Sequence, residues 1–325
     1  MSKCKGCGVN LQNTNPNELG YVKDLDKSLC ERCFRIRNYN EYSMVYKDNA
    51  DYISILNEIN KSKDLVVLVV DLFNTNNRIE EIFKYLDNDI ILVLTKRDIL
   101  PKSCFDKKFI EYFNGYNVID TVIISSIKNY NLDLLYSKIN ENKKGRRVSV
   151  VGFTNSGKST LINKLLYNYS DVNTYITTSS LPNTTIDSIE IKLNDELTLI
   201  DTPGLVNDGD IINYIDKDLV KRIIPVKEIK PITYQVKTLE TIYIDDLVNL
   251  VLSDNNITIY VSNELNINRV YKENVNKSLK CHIIDVEPDN DIVVEGLGFI
   301  KFTKSEQIKI YTLEGVNVYK RKSLI

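Results

Sequence analysis

The chain has 325 residues but no tryptophan, two methionines and a single histidine, His282. A catalytic triad or a cysteine–histidine pair would have to use His282, which stands beside Cys281 in a stretch typical of a strand, so we assign it no catalytic role. Long apolar runs are also lacking, since runs such as Leu65–Val70 are far too short to span a bilayer. The first residues carry no apolar signal core and no amphipathic leader. We therefore expect a cytoplasmic protein with no membrane partner.

A strong excess of either charge is absent as well. The net charge is −2 and the pI is about 5.7, so any nucleic-acid surface must be local. Hydrophobic residues make up 43% and charged residues 26% of the chain, which indicates a globular protein and excludes a disordered one. The length allows two or three domains. We expect the protein to be a monomer.

One stretch, Arg147–Leu166, has the pattern of a strand, a glycine loop and a helix. Its centre, GFTNSGKS, matches G-x-x-x-x-G-K-[ST], in which backbone N–H groups and the helix start surround a phosphate. Lys158 can reach the β- and γ-phosphates, and Ser159 can bind Mg²⁺. An ordinary glycine turn is the alternative, but the spacing and both flanks fit a phosphate loop. The residues expected to bind the nucleotide here are Gly152, Asn155, Ser156, Gly157, Lys158, Ser159 and Thr160.

Four of the six cysteines form two Cys-x-x-Cys pairs separated by a loop. Four thiolates at this spacing can close a tetrahedral structural zinc site. Two disulfides are disfavoured in a cytosolic chain, and a redox site normally needs only one pair. Nearby basic residues can contact phosphates or compensate the negative charge of the zinc site. The predicted zinc ligands are Cys4, Cys7, Cys30 and Cys33, and the basic residues are Lys3, Lys5, Arg32, Arg35 and Arg37.

Three apolar runs before the glycine loop predict buried parallel strands, because they show no polar alternation. The first ends in Asp71, the second leads into Thr-Lys-Arg-Asp, and the third leads into Ser-Ser-Ile-Lys. In an [NT]-K-x-D motif the Asp accepts two hydrogen bonds that guanine offers together and adenine does not, while the Lys stem lies along the base. A backbone N–H of the serine element meets guanine O6. The predicted base-binding residues are Thr95, Lys96, Asp98, Ser125 and Ser126.

Downstream of the loop, Leu197–Ile200 predicts a strand that leads into Asp-Thr-Pro-Gly. In a D-x-x-G motif the carboxylate lies near Mg²⁺ and the glycine N–H near the γ-phosphate. Thr184 and Thr185 are the candidates for the switch threonine that closes on Mg²⁺, with a plain surface loop as the alternative. We favour Thr185, because it directly precedes the segment that leads into the next strand. The expected catalytic set is Lys158, Thr185, Asp201 and Gly204.

The order of these motifs is unusual, because the base-reading motifs precede the phosphate loop and none follows Asp201. The same site can close if the sheet is circularly permuted. We predict an α/β fold: a circularly permuted P-loop GTPase with a mostly parallel sheet and helices on both faces, an N-terminal Cys4 zinc finger and a C-terminal mixed α+β domain. The predicted boundaries are 1–40 for the finger, 41–207 for the GTPase with a linker helix at about 42–63, and 208–325 for a binding domain.

The C-terminal part carries no catalytic constellation, so we interpret it as an RNA- or protein-binding module. Short runs rich in β-branched residues predict several strands, whereas Asp245–Leu252 favours a helix. Gly296–Phe299 predicts a turn with an exposed aromatic side chain. The tail Tyr319–Lys322 is basic, and we expect a solvated end that offers phosphate contacts.

The permuted order, the cysteine pairs and the tail GLGFIKF…EGVNVYKRKSLI resemble the YqeH-type GTPases of bacterial small-subunit ribosome assembly, over nearly the whole chain. The resemblance implies GTP hydrolysis coupled to binding of a 30S precursor or its rRNA, with GTP or GDP, Mg²⁺ and Zn²⁺ as cofactors. Asn183 stands where the family usually has glycine. Thr95 stands where most members have Asn, and only some members share the threonine. Leu205 stands where Ras-like enzymes carry a water-orienting Gln, which implies slow intrinsic hydrolysis.

Two functions from different classes remain open. The first is a GTPase switch in ribosome assembly, and the second is a GTP-gated RNA or protein scaffold with negligible turnover. An ATP-dependent enzyme is opposed by Asp98 and by Ser125-Ser126. Asn155 occupies the loop position at which potassium-activated GTPases carry an Asn that helps to bind the cation, so K⁺ is a further candidate cofactor.

We predict that Asp98→Asn loses GTP binding and gains XTP binding. The substitution places a donor opposite the exocyclic amine of guanine, whereas xanthine has a carbonyl group there. Titration of the purified variant with both nucleotides measures the exchange. Binding of GTP at the parent affinity would show that Asp98 does not read the base.

Overall fold

The computed structural model describes residues 3–4, 9–16, 20–31, 34, 49–75, 78–170, 176–180, 187–205 and 207–325. Several predicted site residues lie outside these ranges, namely Cys7, Cys33, Asn183, Thr184, Thr185 and the basic residues Lys5, Arg32, Arg35 and Arg37. None of the helices within the described ranges is long and apolar enough to cross a membrane.

The chain divides into two units. The first unit comprises Met1–Leu72, Arg78–Arg97 and Asn114–Val206. The second comprises Phe73–Asn77, Asp98–Phe113 and Asn207–Ile325. Two segments that follow strands of the first unit therefore belong to the second, although they lie far from its main part in the sequence.

The first unit is built on a seven-stranded sheet with the order β3-β2-β1-β4-β7-β6-β5. Its strands are β1 (Leu65–Asp71), β2 (Ile90–Thr95), β3 (Asp120–Ile123), β4 (Arg147–Gly152), β5 (Ile176–Ser180), β6 (Asp187–Lys192) and β7 (Thr198–Asp201). Strands β3, β2, β1, β4 and β7 are parallel, while β5 and β6 are antiparallel to their neighbours. Every residue of β1 and β2 is buried, which explains their unbroken apolar runs.

The helices of the first unit supply the other half of its core. Leu135 and Ile139 from one helix and Leu161 and Leu165 from another join apolar residues of β1 and β4 in one buried cluster. Burying a leucine side chain stabilises the fold by about 1.5–3 kcal/mol. The helices among the described residues of this unit are Asn49–Ser62, Ile79–Phe83, Leu132–Asn142 and Lys158–Tyr169.

Strand β4 pairs with β1 although about 75 residues separate them in the chain, with Leu65 opposite Val148 and Val69 opposite Gly152. From β1 the chain builds outward to β2 and β3, and it then returns to the other side of β1. The strand order therefore reverses between β1 and β4, the point at which open α/β sheets bind their ligands. The predicted permuted α/β fold is confirmed, because the strands that precede the glycine loop complete its sheet.

The second unit is dominated by two five-stranded antiparallel sheets, with the orders β12-β9-β10-β16-β13 and β17-β14-β15-β11-β8. Apolar side chains from both sheets share one core, in which Leu250 and Ile310 join Ile257 and Phe302. The strands are β8 (Ile232–Val236), β9 (Glu240–Ile244), β10 (Val248–Leu252), β11 (Asn255–Val261), β12 (Ile267–Val270), β13 (Lys280–Val286), β14 (Asn290–Val294), β15 (Gly298–Phe302), β16 (Glu306–Thr312) and β17 (Val318–Lys322). Its helices are Asp106–Phe113 and Lys217–Ile223.

Two local predictions for the second unit were wrong. The segment Asp245–Leu252 is not a helix, because Val248–Leu252 forms the fully buried strand β10 between β9 and β16. A short apolar run fits either period, and here pairing with distant strands decides. Phe299 is not exposed, since it lies in β15 with only 1% of its surface accessible and stacks on Tyr260 at 4.6 Å between ring centroids.

The basic tail is also not a solvated end, because it forms strand β17 beside β14. The guanidinium group of Arg321 is buried, lies 3.5 Å from a carboxylate oxygen of Asp291 and packs 4.7 Å from the ring centre of Phe299. It also donates a hydrogen bond to the carbonyl oxygen of Thr75. Burial raises the pKa of Asp291, and the charge of Arg321 opposes that rise. Arg321 therefore closes an internal ion pair and is not available for phosphate contacts.

We predict that Arg321→Ala lowers the free energy of unfolding by about 3–5 kcal/mol, because it leaves the carboxylate of Asp291 buried without its cation. The loss should shrink in acid, where protonation removes that charge. Lys322→Ala, on the same strand but exposed, is the control and should change stability by less than about 0.5 kcal/mol. Urea unfolding at neutral and acidic pH measures both, and equal effects of the two variants would contradict the prediction.

Candidate functional site

The glycine loop connects β4 to the helix Lys158–Tyr169 through two left-handed residues. Asn155 has φ 60° and Gly157, at the N-cap, has φ 90°. A Cβ atom on Gly152 would lie 2.5 Å from the carbonyl oxygen of Val69, so a side chain at this position would clash with β1. The loop thus turns sharply at the switch point and directs the unpaired N–H groups of the helix start to one place.

Lys158 carries the positive charge of the loop sequence GFTNSGKS, and its side chain is almost fully buried. Its ammonium group lies 3.3 Å from Asp201 Oδ1 and donates a hydrogen bond to the carbonyl oxygen of Thr202. Burial lowers the pKa of Lys158, and Asp201 acts in the opposite direction. The structure therefore brings together the predicted phosphate-binding lysine and the predicted Mg²⁺-binding aspartate. Ser159 and Thr160 follow in the first turn of the same helix.

The Asp-Thr-Pro-Gly segment lies alongside the glycine loop and is hydrogen-bonded to it. Leu205 N–H donates to the carbonyl oxygen of Gly152 at 3.1 Å, and Thr154 N–H donates to that of Leu205 at 2.9 Å. The hydroxyl group of Thr202 donates to the carbonyl oxygen of Val150 at 2.9 Å. Gly204 is thus held beside the loop, and the Leu205 side chain is buried. An apolar buried side chain at this position cannot orient a water molecule by a hydrogen bond.

Thr95, at the end of β2, connects the base-reading motif to the glycine loop. Its hydroxyl group lies 2.6 Å from the carbonyl oxygen of Ser156 and 3.2 Å from that of Val70. The hydroxyl group of Thr95 is therefore bound within the protein, and its single donor supports the predicted phosphate loop. The hydroxyl group of Ser156 is buried and makes no hydrogen bond to any described residue, which leaves it available to a ligand.

Lys96 follows the end of β2, and the serine element follows the end of β3, at the same edge of the sheet. Lys96 has a left-handed backbone with φ 60°, and its ammonium group lies 2.7 Å from a carboxylate oxygen of Asp71. Arg97 N–H donates to the carbonyl oxygen of Ile124, which ties the lysine motif to the end of β3. Ser125 and Ser126 follow there and are both buried.

The remaining residue predicted to read the base, Asp98, lies one position beyond Arg97 in the short 3-10 turn Arg97–Ile99. The chain passes from the first unit to the second between these two residues. Sequence reasoning missed two participants at this edge, Asp71 and Thr202. A charged residue that ends a buried strand was the available signal for Asp71.

The first cysteine of each N-terminal Cys-x-x-Cys pair lies close to the other. Cys4 and Cys30 are both buried beside Leu11 and Val22, and Cys30 N–H donates to the sulfur of Cys4 at 3.1 Å. An N–H group aimed at sulfur suits a thiolate ligand, so these residues fit a zinc site. Their predicted partners Cys7 and Cys33 lie outside the described residues, and no group of three metal-binding side chains occurs among the residues described.

Comparison with known proteins gives two family matches. The profile described as "50S ribosome-binding GTPase" matches residues 147–295, and the one described as "RsgA GTPase" matches residues 53–209. Protein YqeH of Bacillus subtilis is 33% identical, with 99% of both chains covered. NO-associated protein 1 of Arabidopsis thaliana is 26% identical over 74% of this chain and 50% of its own. The Arabidopsis GTP-binding protein Brassinazole Insensitive Pale Green 2 is 26% identical over 79% of this chain and 45% of its own. The chain thus spans about half the length of the plant proteins.

We predict that Thr95→Val lowers the affinity for GTP and GDP by about five- to tenfold, because it leaves the Ser156 carbonyl oxygen without its donor and loosens the phosphate loop. Thr95→Ser keeps the hydroxyl group and is the control, with affinity near that of the parent. Calorimetric titration of both variants measures the effect. Full affinity in Thr95→Val would mean that the hydrogen bond does not support the loop.

Proposed function

Because the chain belongs to the family of YqeH-type circularly permuted GTPases and hydrolyses GTP, we propose that it is a nucleotide-dependent switch in assembly of the small ribosomal subunit. The observation that carries the switch is the Lys158–Asp201 pair, which joins the phosphate loop to the segment that leads out of the first unit. We place this activity in the cytoplasm, where ribosomal particles are assembled.

We assign the chemistry to four groups of residues. The phosphate loop, with Lys158, holds the phosphates, and Ser159, Thr185 and Asp201 hold the Mg²⁺ that GTPases require. Mg²⁺, when bound, offsets charge that develops on the phosphate oxygens. Gly204 N–H senses the γ-phosphate. The base-reading set is Thr95, Lys96, Asp98, Ser125 and Ser126, with Thr95 acting through the loop.

The path of the chain supports coupling between nucleotide and partner binding. The chain enters the second unit after Leu72, after Arg97 and after Val206, each within five residues of Asp71, Lys96 or Asp201. Inside the second unit the entering segments are anchored, because the carbonyl oxygens of Ile99 and Gly209 accept hydrogen bonds at 2.8 and 2.9 Å and the Asn74 amide oxygen accepts one at 3.1 Å. A shift of a nucleotide-binding residue therefore reaches an anchored segment through a short covalent connection.

A ribosomal particle is the partner that we propose. One matching profile describes 50S ribosome-binding GTPases, which supports a ribosomal partner. Our choice of the small subunit and its rRNA rests on the YqeH-type resemblance alone. We assign contacts to the cysteine module, which we propose to be closed by Zn²⁺ on Cys4, Cys7, Cys30 and Cys33. On the C-terminal strand only Lys320 and Lys322 are exposed, so they replace the buried Arg321 as phosphate contacts. The proposed boundaries of the modules remain 1–40, 41–207 and 208–325.

The second candidate function is a GTP-gated scaffold with negligible intrinsic turnover, and the buried Leu205 fits both this scaffold and a switch that needs its partner to hydrolyse GTP. Asn155, exposed and left-handed in the loop, is the residue to which we assign K⁺ binding. Turnover measured with and without 30S particles, in K⁺ and in Na⁺ at equal ionic strength, separates these proposals. Stimulation by the particle supports the switch, turnover that stays equally slow with and without the particle supports the scaffold, and equal rates in both salts exclude the role of K⁺.

We predict that the GTP-bound protein co-sediments with 30S particles more strongly than the GDP-bound protein, and that binding falls as salt rises. Cys30→Ser should weaken this association without loss of GTP binding, because it opens the proposed zinc site. Cys281→Ser, an exposed cysteine of the second unit, is the matched control and should behave like the parent. Purified 50S particles form the comparison arm. Stronger sedimentation with 50S, or binding that ignores both nucleotide and Cys30, would overturn the proposal.

A further inference from the structure

The geometry points to Asp71 as a positioning residue for Lys96, and so for recognition of the guanine ring. This inference rests on the proposed base-reading role of Lys96. Asp71 is the last residue of β1, and its carboxylate oxygen lies 2.7 Å from the ammonium group of Lys96. It does not contact the base in this proposal but acts through the lysine.

The backbone places Lys96 one position beyond the residue that pairs with Asp71 on the neighbouring strand. Asp71 lies opposite Thr95 in the parallel pairing of β1 and β2, and Leu72 N–H continues the pairing with a hydrogen bond to the carbonyl oxygen of Thr95. Lys96 then leaves β2 in a left-handed conformation, which is unfavourable for a residue with a Cβ unless its surroundings hold it. The ion pair with Asp71 is one interaction that selects this conformation.

Asp71 is more buried than Lys96, as expected if a fixed carboxylate orders a more exposed lysine side chain. The side chain of Asp71 is 8% exposed and is fixed at the end of a buried strand, whereas that of Lys96 is 30% exposed. A lysine side chain has four rotatable bonds, and ordering it on binding costs conformational entropy. A fixed carboxylate at the far end of the stem orders the side chain in advance. The apolar stem then stands ready for the base plane, and less free energy is lost when the nucleotide binds.

A purely structural ion pair is the competing explanation, and the unit contains a pair for comparison. Lys138 and Asp120 lie 3.0 Å apart with side chains 34% and 30% exposed, and neither belongs to a nucleotide motif. Such partly exposed pairs contribute little to stability. If Asp71 served only the fold, removing its charge would lower the free energy of unfolding. Any effect of that change on nucleotide affinity would then be the same whether or not Lys96 is present.

A double-mutant cycle on the full-length protein tests the inference, with calorimetric affinities for GDP and a non-hydrolysable GTP analogue. Asp71→Asn should weaken both nucleotides by the same factor, about five- to tenfold, since they share the base. Lys96→Ala removes the stem as well as the ammonium group and should weaken both at least as much. The double variant should bind no more weakly than Lys96→Ala alone, because Asp71 has then nothing to position. Asp120→Asn is the matched control and should leave both affinities within twofold of the parent.

The outcomes separate this inference from the base-reading proposal. Unchanged affinity in Lys96→Ala would overturn the base-reading role, whereas loss in Lys96→Ala with full affinity in Asp71→Asn would overturn only the positioning role. Additive losses in the double variant would also overturn it. Unfolding measured without nucleotide checks the fold of each variant. If Asp71→Asn does not fold, Asp71→Glu replaces it. The glutamate keeps the charge but displaces it by one methylene group, and undiminished binding of both nucleotides would count against the inference.

Discussion

The parallel pairing of β1 with β4 is the constraint on which the rest of the first unit depends. It joins the strands that carry the base-reading motifs to the strand that carries the phosphate loop, although these parts are far apart in the chain. Because the paired strands are buried on both faces, their position is specified by apolar packing, and a slip of one residue would turn every side chain to the opposite face. The same register leaves room for the loop, since Gly152 passes the carbonyl oxygen of Val69 too closely for a side chain.

Hydrogen bonds and ion pairs then convert this sheet edge into one connected site. Thr95 reaches the phosphate loop through Ser156, and Lys158 connects the loop to Asp201. Asp71 holds Lys96 on the other side of Thr95. The groups that we predict to meet base, phosphate and metal are thus linked to one another by hydrogen bonds and ion pairs within the protein. Such advance ordering reduces the free energy that binding must spend on fixing side chains.

Circular permutation gives this site a different relation to the rest of the chain from that in an ordinary small GTPase. The segment after Asp201 runs directly into the second unit, and so do the residues after Asp71 and Lys96. Within the second unit, Thr75 is held by Tyr319 and Arg321, so this insertion is bound by the last strand of the chain. The buried Asp291–Arg321 pair explains why a basic tail that resembles a surface feature is part of the core.

The sequence by itself determined the features that are local. The phosphate loop, the Asp-Thr-Pro-Gly segment and the Thr-Lys-Arg-Asp segment depend on a few adjacent residues, and the unbroken apolar runs of β1 and β2 carry their own burial signal. Only the tertiary structure decided what depends on a distant partner. Asp245–Leu252 is no helix because Val248–Leu252 pairs with β9 and β16, Phe299 is buried because Tyr260 and Arg321 cover it, and the single donor of Thr95 serves Ser156. A short apolar run, an aromatic ring or a charged side chain has no fixed environment until remote strands supply one, since pairing and burial are properties of the folded chain.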